Sequence, residues 1–270
     1  MTRYPADVRT AVGGLPPLAP GGCQVWWVRV EDVRPEHDDL LDDEDLRRRA
    51  RLRCAGDRLR TTAAWAVTRL VLGGLAGMPP ATVRVDRACP ACGAGHGKPR
   101  LAAALGLHLS VSHAAGLAVL AVGRDGPVGV DVERIGPWAG TELDEVARLV
   151  LTPAERAVLA RQHHEDRPRL FTTYWTRKEA VVKATGAGLA APLDAVEVSP
   201  PADPPRVLRW GAQAAPPVVG LAALGAPAGF VSTLAVLDAP TPRVAEFDAG
   251  PLLRRYSSRR LPSPTTRSQR

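Results

Sequence analysis

Two short stretches carry residue types at spacings that can do chemistry. In Gly126-Pro-Val-Gly-Val-Asp-Val-Glu-Arg-Ile135, Asp131 and Glu133 alternate with Val128, Val130 and Val132. The period of two predicts a strand with one apolar face and one face bearing both carboxylates. At a rise of roughly 3.3 Å per residue they leave the backbone about 7 Å apart. On a half-buried strand, like charges repel and lose hydration, so one must hold a proton or a cation must stand between them. Oxygen-only ligands with room for water favour Mg²⁺ over zinc.

The second stretch is YWTRKEAVVKATGAGL. On a helix, Trp175, Glu179 and Lys183 fall at i, i+4 and i+8 and share one face, and Gly186 is placed as a helix stop. Alone, these residues describe a core Trp and an exposed ion pair. Beside the strand, they add a third carboxylate and a cation, enough for an oxygen-ligand Mg²⁺ site holding a polyphosphate. Lys178 points about 100° away from Glu179, a direction that suits a structural role.

Both stretches need a scaffold. A strand is expected at 23–31, then a helix in DDLLDDEDLRRRARLR and a second in DRLRTTAAWAVTRLVLGGLAG, with a short strand in ATVRVD. LHLSVSH and LAVLAVG alternate and read as a hairpin. After the acidic strand, DEVARLVLTPAERAVLARQHH reads as one helical segment and LFTTYWTRKEAVVKATG as another. AVEVS, RVLRW and GFVSTLAVLD follow as strands. The fold class expected is α+β: a pseudo-two-fold pair of similar halves, each with an antiparallel sheet and packed helices, and the site at their interface. The expected divisions are a flexible segment at 1–22, a first half at 23–125, a second at 126–238 and a disordered Pro/Arg/Ser-rich tail at 239–270. Removing residues from 246 onward is expected to cost little.

The chain has 270 residues, 45% apolar and only 4% aromatic, so small side chains must fill its core. A formal net charge of +7 suits an anionic partner of several classes: nucleic acid, membrane surface, phosphates or an acidic protein. No hydrophobic leader and no membrane-length apolar run is visible, so the expectation is a reduced cytoplasmic compartment with free cysteines. In ACPACGAGHG, Cys89, Cys92 and His96 make half a zinc site, without a second soft pair at suitable spacing. A loop with two thiols is the reading preferred there.

Four ordered motifs then carry a resemblance: Gly97-Lys98-Pro99, Ser110-Val111-Ser112-His113, Gly129-Val-Asp131-Val-Glu133, and Trp175-x-x-Lys178-Glu179-Ala180-x-x-Lys183. Over about residues 24–238 the chain resembles the Sfp-type 4′-phosphopantetheinyl transferases. The resemblance implies Mg²⁺-dependent transfer of phosphopantetheine from coenzyme A to a serine of an apo acyl or peptidyl carrier protein, releasing adenosine 3′,5′-bisphosphate. It implies Asp131, Glu133 and Glu179 as Mg²⁺ ligands and Lys183 at the pyrophosphate. It places His113 at the 3′-phosphate with Ser112 beside it, and Lys98, Pro99, Arg60 and Thr61 around the nucleotide. A further basic anchor falls to Arg48 or to its neighbours Arg47, Arg49, Arg51 and Arg53. The general base would be Glu155 in Leu151-Thr-Pro-Ala-Glu155, a stretch that is equally an ordinary helix start with Thr152 as N-cap.

An acidic carrier protein matches the positive charge, and a monomer is expected, with neither nucleic acid nor membrane as partner. Two alternatives share the features. A metal-dependent phosphodiesterase or nuclease also uses clustered carboxylates. A non-enzymatic nucleic-acid module would need stacking aromatics, for which three Phe and three Tyr are few.

Overall fold

The apolar run Val25–Val28 within Gly22–Arg29 predicts a strand buried on both faces, and the architecture is built around it. The computed structural model describes residues 4, 8–10, 15–102, 105–124, 126–136, 141–188, 192–211 and 218–256. In chain order they form β1 (Arg9–Thr10), β2 (Gly22–Arg29), α1 (Asp43–Ala50), α2 (Ala55–Ala76), β3 (Val85–Asp86), β4 (Arg100–Leu101), β5 (Leu107–Ala114), β6 (Leu117–Arg124) and β7 (Val128–Arg134). There follow α3 (Thr141–Val150), α4 (Pro153–Ala160), α5 (Arg167–Thr185), β8 (Val196–Val198), β9 (Val207–Trp210), β10 (Val219–Ala223), β11 (Phe230–Leu237), β12 (Arg243–Asp248) and α6 (Gly250–Arg255).

Seven strands make a first sheet in the order β1-β12-β2-β6-β5-β4-β3, and three make a second, β10-β11-β7. On the first sheet's outer face, Trp26, Val28, Leu120 and Val122 pack against Ala63, Ala66, Val67 and Val71 of α2. On its inner face, Val25, Trp27, Val119 and Ala121 meet Val128, Val130, Val132, Leu234 and Val236 of the second sheet. Helix α5 closes the far side of the second sheet, with Tyr174, Ala180, Val181 and Ala184 near Ala235 and Leu237. The layers therefore run helix, sheet, sheet, helix, an α+β arrangement with one long helix on each outer face.

Among the described residues strand β7 pairs only with β11 and forms the sheet edge. Its free edge lies along β5, whose Ser110 Oγ accepts the amide of Val130 at 3.0 Å. Ser112 Oγ donates to Asp131 Oδ1 at 2.9 Å. Alternating serines on β5 thus satisfy an edge that would otherwise present bare polar groups.

Opposite, α5 seats directly on the β7 backbone because residue 129 is glycine. A Cβ there would stand 2.0 Å from the Ala180 carbonyl oxygen and 2.4 Å from the Ala184 nitrogen. Gly129→Ala must push α5 away from β7. It is expected to lose about 1–3 kcal/mol or more by denaturant unfolding and to lower turnover as well, since the two elements carry opposing carboxylates.

The structure corrects several expectations. The first sheet is not wholly antiparallel, because β12 runs parallel to both β1 and β2. The tail does not begin at 239. Phe247 stacks on Trp26 with ring centroids 4.7 Å apart, and Leu253 is fully buried. The alternation in RVAEFD was masked by its charges, and truncation from 246 would remove core rather than tail. Within 1–22, Leu18 is buried and Arg9 pairs with Phe247; residues 257–270 lie outside the described residues. The helical stretch 144–164 is two helices, since Pro153 supplies no amide to continue the first. DDLLDDEDLRRRARLR is not one helix: a 3-10 turn ends at Leu40, and the α-helix runs Asp43–Ala50 after Asp42 caps it by accepting from the Asp45 amide at 2.9 Å.

Candidate functional site

A cavity of about 380 Å³ opens where β5, β7, α2 and α5 converge. Its polar wall is Ser112 and His113 from β5, Asp131 and Glu133 from β7, and Glu179 and Lys183 from α5. Ala64, Trp65, Pro99, Val111 and Trp175 supply the apolar wall. A larger cavity of about 490 Å³ lies elsewhere, lined by Arg169, Arg177 and largely apolar residues. Arg177 is committed to the carbonyls of Ser199, Pro200 and Asp203, and no carboxylate lines that cavity among the described residues, so the smaller cavity is the candidate site.

Asp131 is 2% exposed. Its Oδ1 accepts from Ser112 Oγ and, at 2.6 Å, from Lys183 Nζ. Its Oδ2 is buried without a hydrogen-bond partner, a loss worth about 1–3 kcal/mol for a buried polar group. Burial, with the negative charges of Asp131 and Glu179, pushes Glu133 up to about 7. Burial and Asp131 raise Glu179 too. Three carboxylates in one cavity, one oxygen unsatisfied and two held toward protonation, are a donor set that fits a hard divalent cation. Among the described residues their oxygens do not close to within 4.8 Å of one another, as mutual repulsion dictates, and Lys183 serves as local counter-charge.

His113 stands at the cavity mouth. Crowding by protein around the ring, then the positive charges of Arg60 and Lys183, hold its imidazole below the usual range. It is neutral near pH 7, a hydrogen-bonding group rather than a fixed cation.

Other residues singled out from sequence lie outside this cavity. Arg60 reaches its rim, donating to the Ala115 carbonyl in the β5–β6 turn at 2.8 Å and pairing with Asp57. Thr61 is half-buried one residue on. Arg48 pairs with Glu44 and donates to the Gly95 carbonyl. Lys98 turns inward, its Nζ donating to the carbonyls of Val128 at 3.0 Å and Ala184 at 2.5 Å. It therefore ties the start of β7 to the end of α5.

Glu155 is enclosed 2% exposed beneath α5, with Oε2 2.6 Å from Lys178 Nζ. It also accepts the amides of Thr152 and Val198 at 2.8 and 2.9 Å. The structure places it in a helix cap and a buried ion pair, away from the cavity. Trp65 was not singled out for the site from sequence, although it lines the cavity beneath the Arg87 guanidinium at 3.6 Å from its centroid. The signal available was a lone indole set in the chain among Ala63, Ala64 and Ala66.

Burial, with Arg100's charge, lowers Lys98 to about 8. Above that value the folded chain releases a proton that the unfolded chain keeps until about 10.5, so Lys98 adds stability as pH rises between them. The stability difference between wild type and Lys98→Met is expected to move toward wild type by on the order of 1–2 kcal/mol from pH 8 to 10 in urea titrations.

Residues 127–224 match the model of the 4′-phosphopantetheinyl transferase superfamily. The chain is 32% identical over 181 residues to the 4′-phosphopantetheinyl transferase HetI of Nostoc, covering 65% of this chain and 73% of that one. It is 34% identical over 90 residues to the 4′-phosphopantetheinyl transferase AcpT of Escherichia coli, 33% of this chain and 45% of that one. A Bacillus anthracis holo-(acyl-carrier-protein) synthase solved with CoA (3′,5′-ADP) aligns at a TM-score of 0.34 with 21% identity, covering 41% of this chain and 94% of that one.

Proposed function

Because the chain belongs to the 4′-phosphopantetheinyl transferase superfamily, we propose that this cavity performs a Mg²⁺-dependent transfer of phosphopantetheine from coenzyme A to a serine of an acidic apo carrier protein. The observation that carries the reading is the buried, unpartnered Asp131 Oδ2 on a residue that lines one cavity with Glu133, Glu179 and Lys183. Asp131, Glu133 and Glu179 would hold the cation. Bound there, Mg²⁺ supplies charge neutralisation for the pyrophosphate oxygens.

The chain's own residues do the rest. The serine hydroxyl attacks the phosphorus next to pantetheine, the P–O bond to the adenosine bisphosphate breaks, and that group leaves with the electron pair. Lys183 balances Asp131; a divalent cation held by the carboxylates would supply that balance in its place and leave the ammonium for the breaking bond, where fixed positive charge is most effective. His113 and Arg60, side by side at the mouth, bind the 3′-phosphate, while Pro99 and Trp65 give the nucleotide an apolar wall. With Glu155 enclosed, the acceptor for the serine proton is one of the cavity's own carboxylates. The positive net charge steers an acidic carrier. No helix among the described residues is long and apolar enough to cross a membrane.

Calorimetric titration of coenzyme A with and without Mg²⁺ tests the arrangement. Binding is expected to weaken at least tenfold without the metal, and Glu179→Gln to abolish the metal's effect. Equal affinity and turnover in a chelator would defeat the metal assignment.

A further inference from the structure

The loop between β3 and β4 holds a second constellation with no part in the transfer. Cys89, Cys92 and His96 bring their two sulfurs and an imidazole nitrogen within 4.8 Å of one another. Cys92 Sγ lies 3.1 Å from His96 Nε2, and all four cysteines are free thiols. Ligand atoms around a tetrahedral zinc stand about 3.5–3.8 Å apart, given bonds of roughly 2.3 Å to sulfur and 2.0–2.1 Å to nitrogen. The three groups thus need only small adjustments to close on one ion.

The backbone is shaped to keep them there. Gly93 turns the chain with φ +72°, its amide donating to the Cys89 carbonyl at 2.8 Å. The Cys89 amide donates to the Ala94 carbonyl at 2.7 Å, and the Gly97 amide closes the loop's neck on the Arg87 carbonyl at 2.8 Å. That neck requires glycine: a Cβ on residue 97 would stand 2.5 Å from the Ala88 carbonyl oxygen. From outside, Arg48 grips the Gly95 carbonyl.

We propose that Cys89, Cys92 and His96 bind one zinc-class divalent cation through two thiolates and an imidazole, with the fourth position open to water, and that this ion clamps the neck from which Lys98 and Pro99 reach the transfer cavity. Two thiolates and a neutral imidazole balance a divalent charge, and a mixed N/S donor set selects zinc over Mg²⁺ or Ca²⁺. The ion's place in the chain gives it consequence. Lys98, immediately after the neck, ties β7 to α5, and Pro99 lines the cavity.

The test uses tag-free, full-length protein kept reduced. Metal analysis is expected to find one zinc per chain. Cobalt replacement should give thiolate-to-metal charge-transfer absorption. Cys92→Ser and His96→Ala should each weaken zinc binding at least tenfold, while Cys54→Ser, an exposed cysteine outside the loop, leaves it unchanged. Stripping the zinc should speed amide exchange at Gly97, Lys98 and Arg100 at least tenfold without altering the β5–β6 hairpin. No bound zinc after reconstitution, equal zinc in wild type and Cys92→Ser, a Cys89–Cys92 disulfide under reducing conditions, or bound zinc with unchanged exchange at the neck would each overturn the proposal. None of these readouts depends on transferase activity, so they stand apart from the reading of the main cavity.

Discussion

Asp131→Asn is expected to lower turnover by about 10³-fold or more at saturating Mg²⁺ while leaving a folded protein. Asparagine fills the same volume and still accepts from Ser112, so the β5–β7 seam survives. It removes the charge that meets Lys183 at 2.6 Å and replaces the unpartnered Oδ2, the oxygen best placed for a cation. Fixed charges aimed at a reacting group are worth about 10²–10³ in rate each, and here the whole metal set is weakened besides. The Lys183–Asp131 pair itself adds little to stability, since the ammonium is partly solvated. Steady-state assays beside thermal unfolding separate the two effects. Normal turnover by a folded Asp131→Asn enzyme would remove Asp131 from the site.

Glu155→Gln is expected to behave in the opposite way, costing stability and sparing chemistry. Lys178 is 0% exposed, and its ammonium is held by Glu155 and by the carbonyls of Val150 and Leu193 at 2.8 and 3.0 Å. Thr152 and Val198 donate to different carboxylate oxygens, so glutamine can accept only one of the two amides, and it leaves Lys178 without a counter-charge. Breaking a buried pair from one side costs about 3–5 kcal/mol. The double replacement Glu155→Leu with Lys178→Met is expected to recover a good part of that loss, since neither charge remains. In the folded fraction, turnover should stay within a few-fold of wild type. A stable Glu155→Gln protein with turnover down by 10²-fold or more would restore Glu155 as the base.

The contrast between these two carboxylates shows what was legible in the sequence. Asp131 and Glu133 announced themselves because charges every second residue conflict with an apolar strand, and the resolution of that conflict is local. Glu155 looked ambiguous because a capping box and a general base use the same residue type at the same spacing. What separates them is burial under α5 and the ion pair with Lys178, a contact between residues 23 apart in the chain. Gly129 and Ser110 stood in the motifs without a role and Trp65 stood outside them, since each acts on a neighbour brought in by tertiary packing: α5 on β7, β5 on β7, Arg87 on the indole. β12 was missed for a similar reason. Its charges sit on a strand whose apolar alternation matters only once β1 and β2 flank it.

The central claim is that this chain moves phosphopantetheine onto a carrier serine. Intact-mass analysis of an apo carrier protein after incubation with the enzyme, coenzyme A and Mg²⁺ tests it most directly. The carrier is expected to gain the mass of one phosphopantetheine group, and neither a carrier whose acceptor serine is alanine nor the Asp131→Asn enzyme should give the product. An unmodified carrier while coenzyme A is hydrolysed would contradict the account and leave a metal-dependent phosphodiesterase in its place.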